Sequence, residues 1–165
     1  MTIWVDADHA RDQATWRSVT AIMVFINGTL VKTVSKKQRT VEMSTYGSEL
    51  VAARVATEIA IEYRHTLRQL GVAIDGPTLM LGDNQSVVLN TTIPSSVLKK
   101  KHASISYHRI REAIAGNIIK FHHVPSGINK SDLLSKPLDS ISFHGLLEPV
   151  LFSNNPKATM QDSIM

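Results

Sequence analysis

Four carboxylates follow one another along this chain, and their type suits the binding of divalent metal ions. They are Asp6, Glu49, Asp83 and Asp132, each in a different local setting. Mg²⁺ takes oxygen ligands at about 2.0–2.1 Å and keeps several waters. Two such ions about 4 Å apart can activate a water and stabilise the leaving oxygen of a phosphodiester. Such a centre needs carboxylates from several elements that converge on one point, so the sequence predicts a two-metal nuclease site.

Each carboxylate also has an ordinary structural explanation. Glu49 can favour its helix N-terminus electrostatically, and Asp83 and Asp132 can be simple helix caps. Asp6 can be a surface residue at a strand end. It follows three apolar residues on a strand expected to be central, however, where a charge is costly unless it is paired or metal-bound. Asp8 shares a strand face with Asp6, so either residue can be the first ligand.

Hydrophobic patterning predicts the elements that must position these residues. Strands are predicted at 3–8, 20–26, 29–34, 78–81 and 117–124, and helices at 44–70, 84–93, 103–115, 130–136 and 139–151. Asn27-Gly28 favours a hairpin between the second and third strands. Three strands followed by alternating strands and helices indicate a mixed sheet with helices packed on it. Active sites in such sheets gather where strand ends meet helix starts.

The long helix at 44–70 carries two candidate packing stripes. Larger apolar residues recur at helical spacing, and small ones form a second stripe suited to close packing. The first stripe is Val51, Val55, Ile59, Tyr63 and Leu67, and the second is Ala52, Ala56 and Ala60. The larger residues are predicted to form the apolar face.

Length and composition indicate one domain with a single core. The chain has 165 residues, of which 43% are apolar, and we expect the domain at 1–152 with a loose polar tail at 153–165. Because there are no cysteines, disulfides, thiolate metal sites and cysteine nucleophiles are excluded. No apolar run approaches the roughly 20 residues that span a bilayer, and the start lacks a signal-peptide pattern. We therefore expect an intracellular protein without a membrane partner.

The positive charge is concentrated in two stretches. The net charge is +4, and both 13–41 and 86–111 hold basic residues and no acid. Because each Lys or Arg against a phosphate releases counterions, this distribution favours a polyanion such as nucleic acid as a partner. A solvated basic face is the alternative.

Five ordered motifs resemble the ribonuclease H domain of copia-type LTR retrotransposon polyproteins. That family has Asp-Ala-Asp near its start, a Ser/Thr-rich segment leading to Glu, Asp-Asn-Gln-Ser, a Lys-His to Tyr-His-x-Ile-Arg-Glu stretch, and a final Ala-Asp-x-Leu-Thr-Lys-Pro-Leu. The corresponding segments here are 6–8, 44–49, 83–86, 101–112 and 132–138. The resemblance extends over residues 3–152, nearly the whole chain.

The resemblance implies a ribonuclease H-like α/β fold, with a five-stranded mixed sheet whose first three strands are antiparallel. It implies endonucleolytic hydrolysis of the RNA strand of RNA–DNA hybrids with two Mg²⁺ ions, for which Mn²⁺ can substitute. By motif position Asp6, Glu49, Asp83 and Asp132 become the catalytic metal ligands. Asp8 is expected to lie behind the ligands and support them.

The resemblance also implies substrate contacts. Gln85 matches a residue that reaches the minor groove of the hybrid, where 2′-hydroxyls distinguish RNA, and Ser44 and Thr45 lie where relatives grip the DNA-strand phosphate. Lys99, Lys100 and Lys101 are candidates for positioning contacts to the backbone, and His102 can meet a phosphate beside them. A surface basic loop is the alternative for this run. Unlike many relatives, the loop at 124–129 carries no His before the last Asp.

Three functions are compatible with this sequence. The first is an active ribonuclease H from a reverse-transcriptase polyprotein, with the polymerase domain on its N-terminal side and a cytoplasmic virus-like particle as its location. The second is a catalytically silent, connection-type binding module, which would have no use for carboxylates beside phosphates. The third is an integrase-like nuclease. It requires a closing Glu, for which Glu112 between basic neighbours is a poor candidate, and it leaves Asp132 unexplained.

Overall fold

The computed structural model describes residues 1–98 and 101–151. Lys99, Lys100 and the tail predicted at 153–165 lie outside the described residues. The strands are β1 (Thr2–Asp12), β2 (Arg17–Ile26), β3 (Thr29–Lys37), β4 (Thr78–Gly82) and β5 (Ile119–His123). The α-helices are α1 (Thr45–Gln69), α2 (Gln85–Thr92), α3 (Ser104–Ala115), α4 (Asp132–Ser135) and α5 (Ser140–Leu147).

The strands form one sheet in the order β3-β2-β1-β4-β5. β1 pairs antiparallel with β2, and β2 with β3, whereas β4 is parallel to both β1 and β5. This arrangement confirms the predicted five-stranded mixed sheet with three antiparallel strands first. The hairpin turn is also confirmed, because Asn27 and Gly28 have φ angles of 50° and 79°, as a two-residue turn of this kind requires.

Some element bounds differ from the prediction. β1 continues to Asp12 rather than ending at Asp8, and its pairing with β2 is irregular between these two residues. The last helix ends at Leu147, and the helix before it begins only at Asp132. A bulge in a strand interrupts the alternation of apolar and polar side chains. The hydrophobic pattern therefore does not predict the part of β1 beyond Asp8.

Of the two stripes predicted on α1, the small-residue stripe packs on the sheet. Ala52, Ala56 and Ala60 are fully buried, whereas Val55 and Tyr63 are only partly buried. Of the larger predicted stripe, only Ile59 belongs to the buried core. Small side chains allow the helix axis to approach β1 and β2 closely, and the larger residues then flank the contact. The close-packing stripe of alanines is therefore confirmed, whereas the larger residues do not form the buried face, because size as well as hydrophobicity decides which stripe faces a sheet.

Large apolar side chains fill the space between the sheet and the helices. Those fully buried include Ile3, Ile22, Leu50, Met80 and Ile110. Among the described residues, no helix is long and apolar enough to cross a membrane.

Candidate active site

Two of the four carboxylates lie at the same level on adjacent parallel strands, Asp6 within β1 and Asp83 just past the end of β4. Val5 of β1 pairs with Gly82 of β4, and Asp6 and Asp83 are the next residues along each strand. A Cβ atom at Gly82 would lie 3.1 Å from the Phe121 ring, closer than side chains normally pack. Glycine therefore leaves room for the Phe121 ring beside the point where Asp83 follows β4.

Asp132 reaches the same place because the loop before α4 is fastened to β1. The buried Asn129 side chain donates from Nδ2 to the Val5 carbonyl (3.2 Å). Its Oδ1 accepts from the Ser131 hydroxyl (2.6 Å) and backbone N–H (3.3 Å). These contacts satisfy both ends of a buried amide and hold the first residue of α4 over β1.

Asp6, Asp83 and Asp132 form a compact group of possible metal ligands. One carboxylate oxygen of each lies within 4.8 Å of the others. Asp6 is 0% and Asp132 7% exposed, so their charges are largely removed from water. Like charges this close and this buried are unfavourable unless a cation joins them, and hard oxygen donors suit Mg²⁺ or Mn²⁺. The donor set therefore fits a divalent metal ion.

Glu49 faces this group from the second turn of α1, although it does not belong to the compact group of three. It is 7% exposed. Burial, followed by the charges of Asp6 and Asp83, raises the pKa of Glu49 to about 9, against the opposing influence of a hydrogen bond from Ala7 and the charge of Lys136. The carboxyl is thus protonated near neutral pH in the absence of metal. Glu49 and Asp83 also line one cleft, so Glu49 lies beside the aspartate group.

Asp132 shows the same effect to a smaller degree. Burial first, and then the charge of Asp6, raise the pKa of Asp132 to about 6, against the opposing influence of Lys136. A bound cation would reverse these shifts, because it favours the ionised carboxylates.

The sequence reasoning assigned no role to Lys136, which lies at the middle of the aspartate group. Its Nζ is 3.1 Å from Asp132 Oδ1, 3.3 Å from Asp6 Oδ1 and 3.9 Å from Asp83 Oδ2. Burial alone lowers the pKa of Lys136, but the three carboxylates raise it above its usual value. The signal available in the sequence was the acid-to-lysine spacing of four residues, which pairs side chains on a helix.

Asp8 lies beside the group rather than within it. It lines the same cleft, of about 430 Å³, as Glu49, Asp83 and Lys136. Its carboxylate pairs with Arg11 (3.2 Å). The Arg11 guanidinium also donates to the carbonyl of Ser135, whose hydroxyl in turn donates to Asp6.

The predicted substrate-binding residues fall into two groups. Thr45 lines the acidic cleft, Gln85 is exposed at the start of α2 two residues beyond Asp83, and Ser44 caps α1 by accepting from the Gly47 N–H (3.3 Å). Lys101 and His102 do not line this cleft. His102 lies 3.9 Å from Glu42 beside a separate cavity, and Lys101 borders another. Lys99 and Lys100 lie outside the described residues.

Comparison with known proteins gives relatives of one kind. No protein-family model matches the chain. The Retrovirus-related Pol polyprotein from transposon RE2 of Arabidopsis thaliana is 25% identical over 138 residues, or 84% of this chain and 10% of that protein. The corresponding polyprotein from transposon TNT 1-94 of Nicotiana tabacum is 26% identical over 152 residues, or 92% of this chain and 11% of that protein. The chain thus spans about a tenth of the length of these relatives.

Solved structures agree on the fold. RNase H1 from the halophilic archaeon Halobacterium salinarum NRC-1 has a TM-score of 0.61 at 19% identity, covering 81% of this chain and 92% of that one. LC11-RNase H1 in complex with an RNA/DNA hybrid has a TM-score of 0.63 at 14% identity, covering 81% and 92%. The foamy viral protease-reverse transcriptase in complex with an RNA/DNA hybrid has a TM-score of 0.58 at 18% identity, covering 81% of this chain and 19% of that one. The resemblance drawn from the motifs is therefore confirmed: the chain has the ribonuclease H fold, and its sequence relatives are Pol polyproteins of copia-type retrotransposons.

Proposed function

We propose that this chain is an endonuclease that hydrolyses the RNA strand of RNA–DNA hybrids during reverse transcription of a retroelement. One observation carries the proposal: one carboxylate oxygen each of Asp6, Asp83 and Asp132 lies within 4.8 Å of the others, where the middle of β1 passes the end of β4, and Glu49 lies beside them. A purely structural role does not account for so many buried like charges in one place.

The four carboxylates would hold two Mg²⁺ ions, or Mn²⁺ in their place. Bound there, the metal supplies an activated water and neutralises charge on the leaving oxygen. The protein's own part is to fix the ligands. Ser135 donates to Asp6, Asn129 fastens the α4 segment to β1, and Gly82 leaves room for the Phe121 ring beside Asp83. Asp8 would support this arrangement through Arg11.

Substrate would lie across the cleft. Thr45 lines the cleft and is assigned, with Ser44 beside it, to the DNA-strand phosphate. Gln85 is exposed at the start of α2 and is assigned to the minor groove. The Lys99 to Lys101 run and His102 are assigned to the hybrid backbone farther along. Replacing the three lysines with Ala should weaken hybrid binding and flatten its dependence on salt. If the dependence of hybrid binding on salt concentration is unchanged, these lysines do not contact the hybrid.

The context of the chain belongs to the same proposal. The domain at 1–152 would act as one part of a Pol polyprotein, with the polymerase domain N-terminal to it, in a cytoplasmic virus-like particle. LC11-RNase H1 and the foamy viral protease-reverse transcriptase were each solved in complex with an RNA/DNA hybrid, which supports the hybrid as the substrate class.

The alternative is a catalytically silent module of the same fold. Lys136 is the observation that favours it, since its ammonium already neutralises part of the aspartate group.

The deciding experiment is cleavage of a labelled RNA–DNA hybrid, with double-stranded RNA and double-stranded DNA as controls, in Mg²⁺, Mn²⁺ or EDTA. Metal-dependent cutting of only the RNA strand of the hybrid, leaving 3′-hydroxyl and 5′-phosphate ends, is the expected result. Salt-sensitive hybrid binding without cutting in either metal would favour the silent module instead.

A further inference from the structure

Lys136 lies among the three aspartates, where its charge bears on both stability and metal binding. We infer that Lys136 is an internal counter-ion: its ammonium holds the aspartate group together in the metal-free protein, and it must leave that position before metal binds. The inference rests on the proposed function only in taking these aspartates as metal ligands.

The ammonium contacts all three aspartates at once. Its Nζ lies 3.1 to 3.9 Å from one oxygen each of Asp6, Asp83 and Asp132. Across 1–98 and 101–151, no other Lys or Arg forms an ion pair with any of the three. One cation therefore offsets the repulsion among three acids, and the remaining negative charge leaves the centre attractive to a divalent ion.

The backbone directs this side chain into the centre. Lys136 follows the last residue of α4 and precedes Pro137, and its φ and ψ angles of −122° and 147° are those that a following proline favours. Lys136 lies four positions beyond Asp132, and the two side chains meet just past the end of the helix, where Nζ is 3.1 Å from Asp132 Oδ1. The contact with Asp132 is therefore local, whereas the contacts with Asp6 and Asp83 depend on the fold of the sheet.

The Lys136 ammonium is able to move from the aspartates into solvent. The side chain is 33% exposed, and a lysine stem has several rotatable bonds, so the ammonium can turn to water while its Cα stays in place. Asp6 would keep its hydrogen bond from the Ser135 hydroxyl when Lys136 withdraws. The ligand therefore stays oriented, and only the cation is exchanged.

A counter-ion of this kind has two opposite effects. It stabilises the metal-free protein, because it offsets buried like charges, and it weakens metal binding, because metal must displace it. A residue with a merely structural role would change stability without tightening the binding of metal.

The test is titration calorimetry of Mg²⁺ alone, without nucleic acid, on the wild-type chain and on Lys136→Met. We expect the Kd for Mg²⁺ to fall about tenfold in the variant, since one competing unit charge is gone. The Tm in EDTA should fall as well, and the rise in Tm on adding Mg²⁺ should become larger. Lys136→Arg keeps the charge and should keep the weak metal affinity.

Lys37→Met is the matched control. Lys37 pairs with Asp12 on the surface, so this variant loses the same charge at a carboxylate outside the aspartate group. Its Kd for Mg²⁺ should stay within about twofold of the wild-type value, as screened surface charges act weakly. An equal gain in affinity from Lys37→Met would mean that net charge, rather than the position of Lys136, is responsible.

An unchanged Kd in Lys136→Met, or no measurable binding in either protein, would overturn the inference. If Lys136→Met fails to fold, the double variant Lys136→Met/Asp132→Asn removes the acid together with its partner and should fold, whereas failure of both would count against charge balance as the cause. The hybrid-cleavage assay is independent of this titration. Tighter Mg²⁺ binding by Lys136→Met together with no cleavage by the wild-type chain would support the counter-ion inference and reject the proposed function.

Discussion

Carboxylates occur in two contrasting settings in this protein. On the surface between α1 and α3, Arg109 binds Glu58 through two hydrogen bonds (2.8 and 3.2 Å) and Glu112 through a third (2.9 Å). The guanidinium lowers the pKa of Glu58. At the acidic centre, by contrast, the pKa values of Glu49 and Asp132 are raised to about 9 and about 6.

The difference lies in how charge is balanced. Surface pairs of the first kind are satisfied within the protein and contribute little to stability. The acidic centre is defined as Asp6, Glu49, Asp83 and Asp132, of which all but Asp83 are buried. Lys136 forms ion pairs with its three aspartates. Such a cluster lowers stability, and it is expected where function requires an unsatisfied charge. The ionisable groups of this fold are thus paired with one another in one place, and in the other they form a cluster that could hold a divalent cation.

The largest expected effect comes from Asp83→Asn, which removes one charge from the acidic centre. Cleavage of the hybrid should fall by about 10³-fold or more, since metal coordination supplies several kcal/mol of transition-state stabilisation. Hybrid binding should be kept or improved, because a negative charge beside phosphate is gone. Single-turnover cleavage and a binding titration measure the two effects separately. Weaker hybrid binding by this variant would count against the assignment of Asp83 as a metal ligand.

A smaller effect is expected from Asn129→Ala, which keeps all four acids but removes the side-chain hydrogen bonds that hold the start of α4 on β1. The variant loses the hydrogen bond to Val5 and leaves buried polar groups unpaired, at a cost of about 1–3 kcal/mol. Thermal unfolding measures that loss, and cleavage well below Tm should fall further because Asp132 is no longer held over β1. Ser126→Ala, an exposed change in the same loop, is the control. Equal behaviour of the two variants would show that Asn129 does not position the centre.

The smallest expected effects are on the pH dependence of stability, which should differ between the acidic centre and the surface ion pairs. In the metal-free protein, Glu49 has a pKa of about 9, against 4.5 as its ordinary value. The folded state therefore holds a proton that the unfolded chain releases between these values, so this group makes stability fall as pH rises through that window. Glu49→Gln should flatten the fall and raise the Tm in EDTA at pH 8.5 by about 2–6 °C.

Glu58→Gln is the paired comparison. The lowered pKa of Glu58 contributes stability above the ordinary value near 4.5, and that contribution is lost as pH falls through the lower folded value. Because the side chain is 44% exposed, the variant should lose less than about 1 kcal/mol at pH 7. Thermal scans in EDTA at pH 5, 7 and 8.5 compare both variants. The contrast between the two settings fails if both variants shift Tm in the same direction at pH 8.5.

The sequence alone determined most of the local structure. The hairpin at Asn27-Gly28 and the start of α1 after Ser44 follow from turn and capping chemistry within a few residues. The mixed sheet follows from the order of the elements. The grouping of Asp6, Asp83 and Asp132 was predicted because each lies at a strand end or helix start, and the structure brings these three together.

Tertiary structure alone decided what surrounds those acids. Lys136 contacts Asp6 across 130 positions of the chain, and Asn129 reaches Val5 across 124. The choice of the alanine stripe of α1 as the packed face likewise depended on the sheet below it. Local patterns report propensities within a helix turn or a strand pair, whereas contacts at such separations exist only after the sheet has closed and the helices have packed on it. The acids could therefore be read from the sequence, but the counter-ion among them could be found only in the fold.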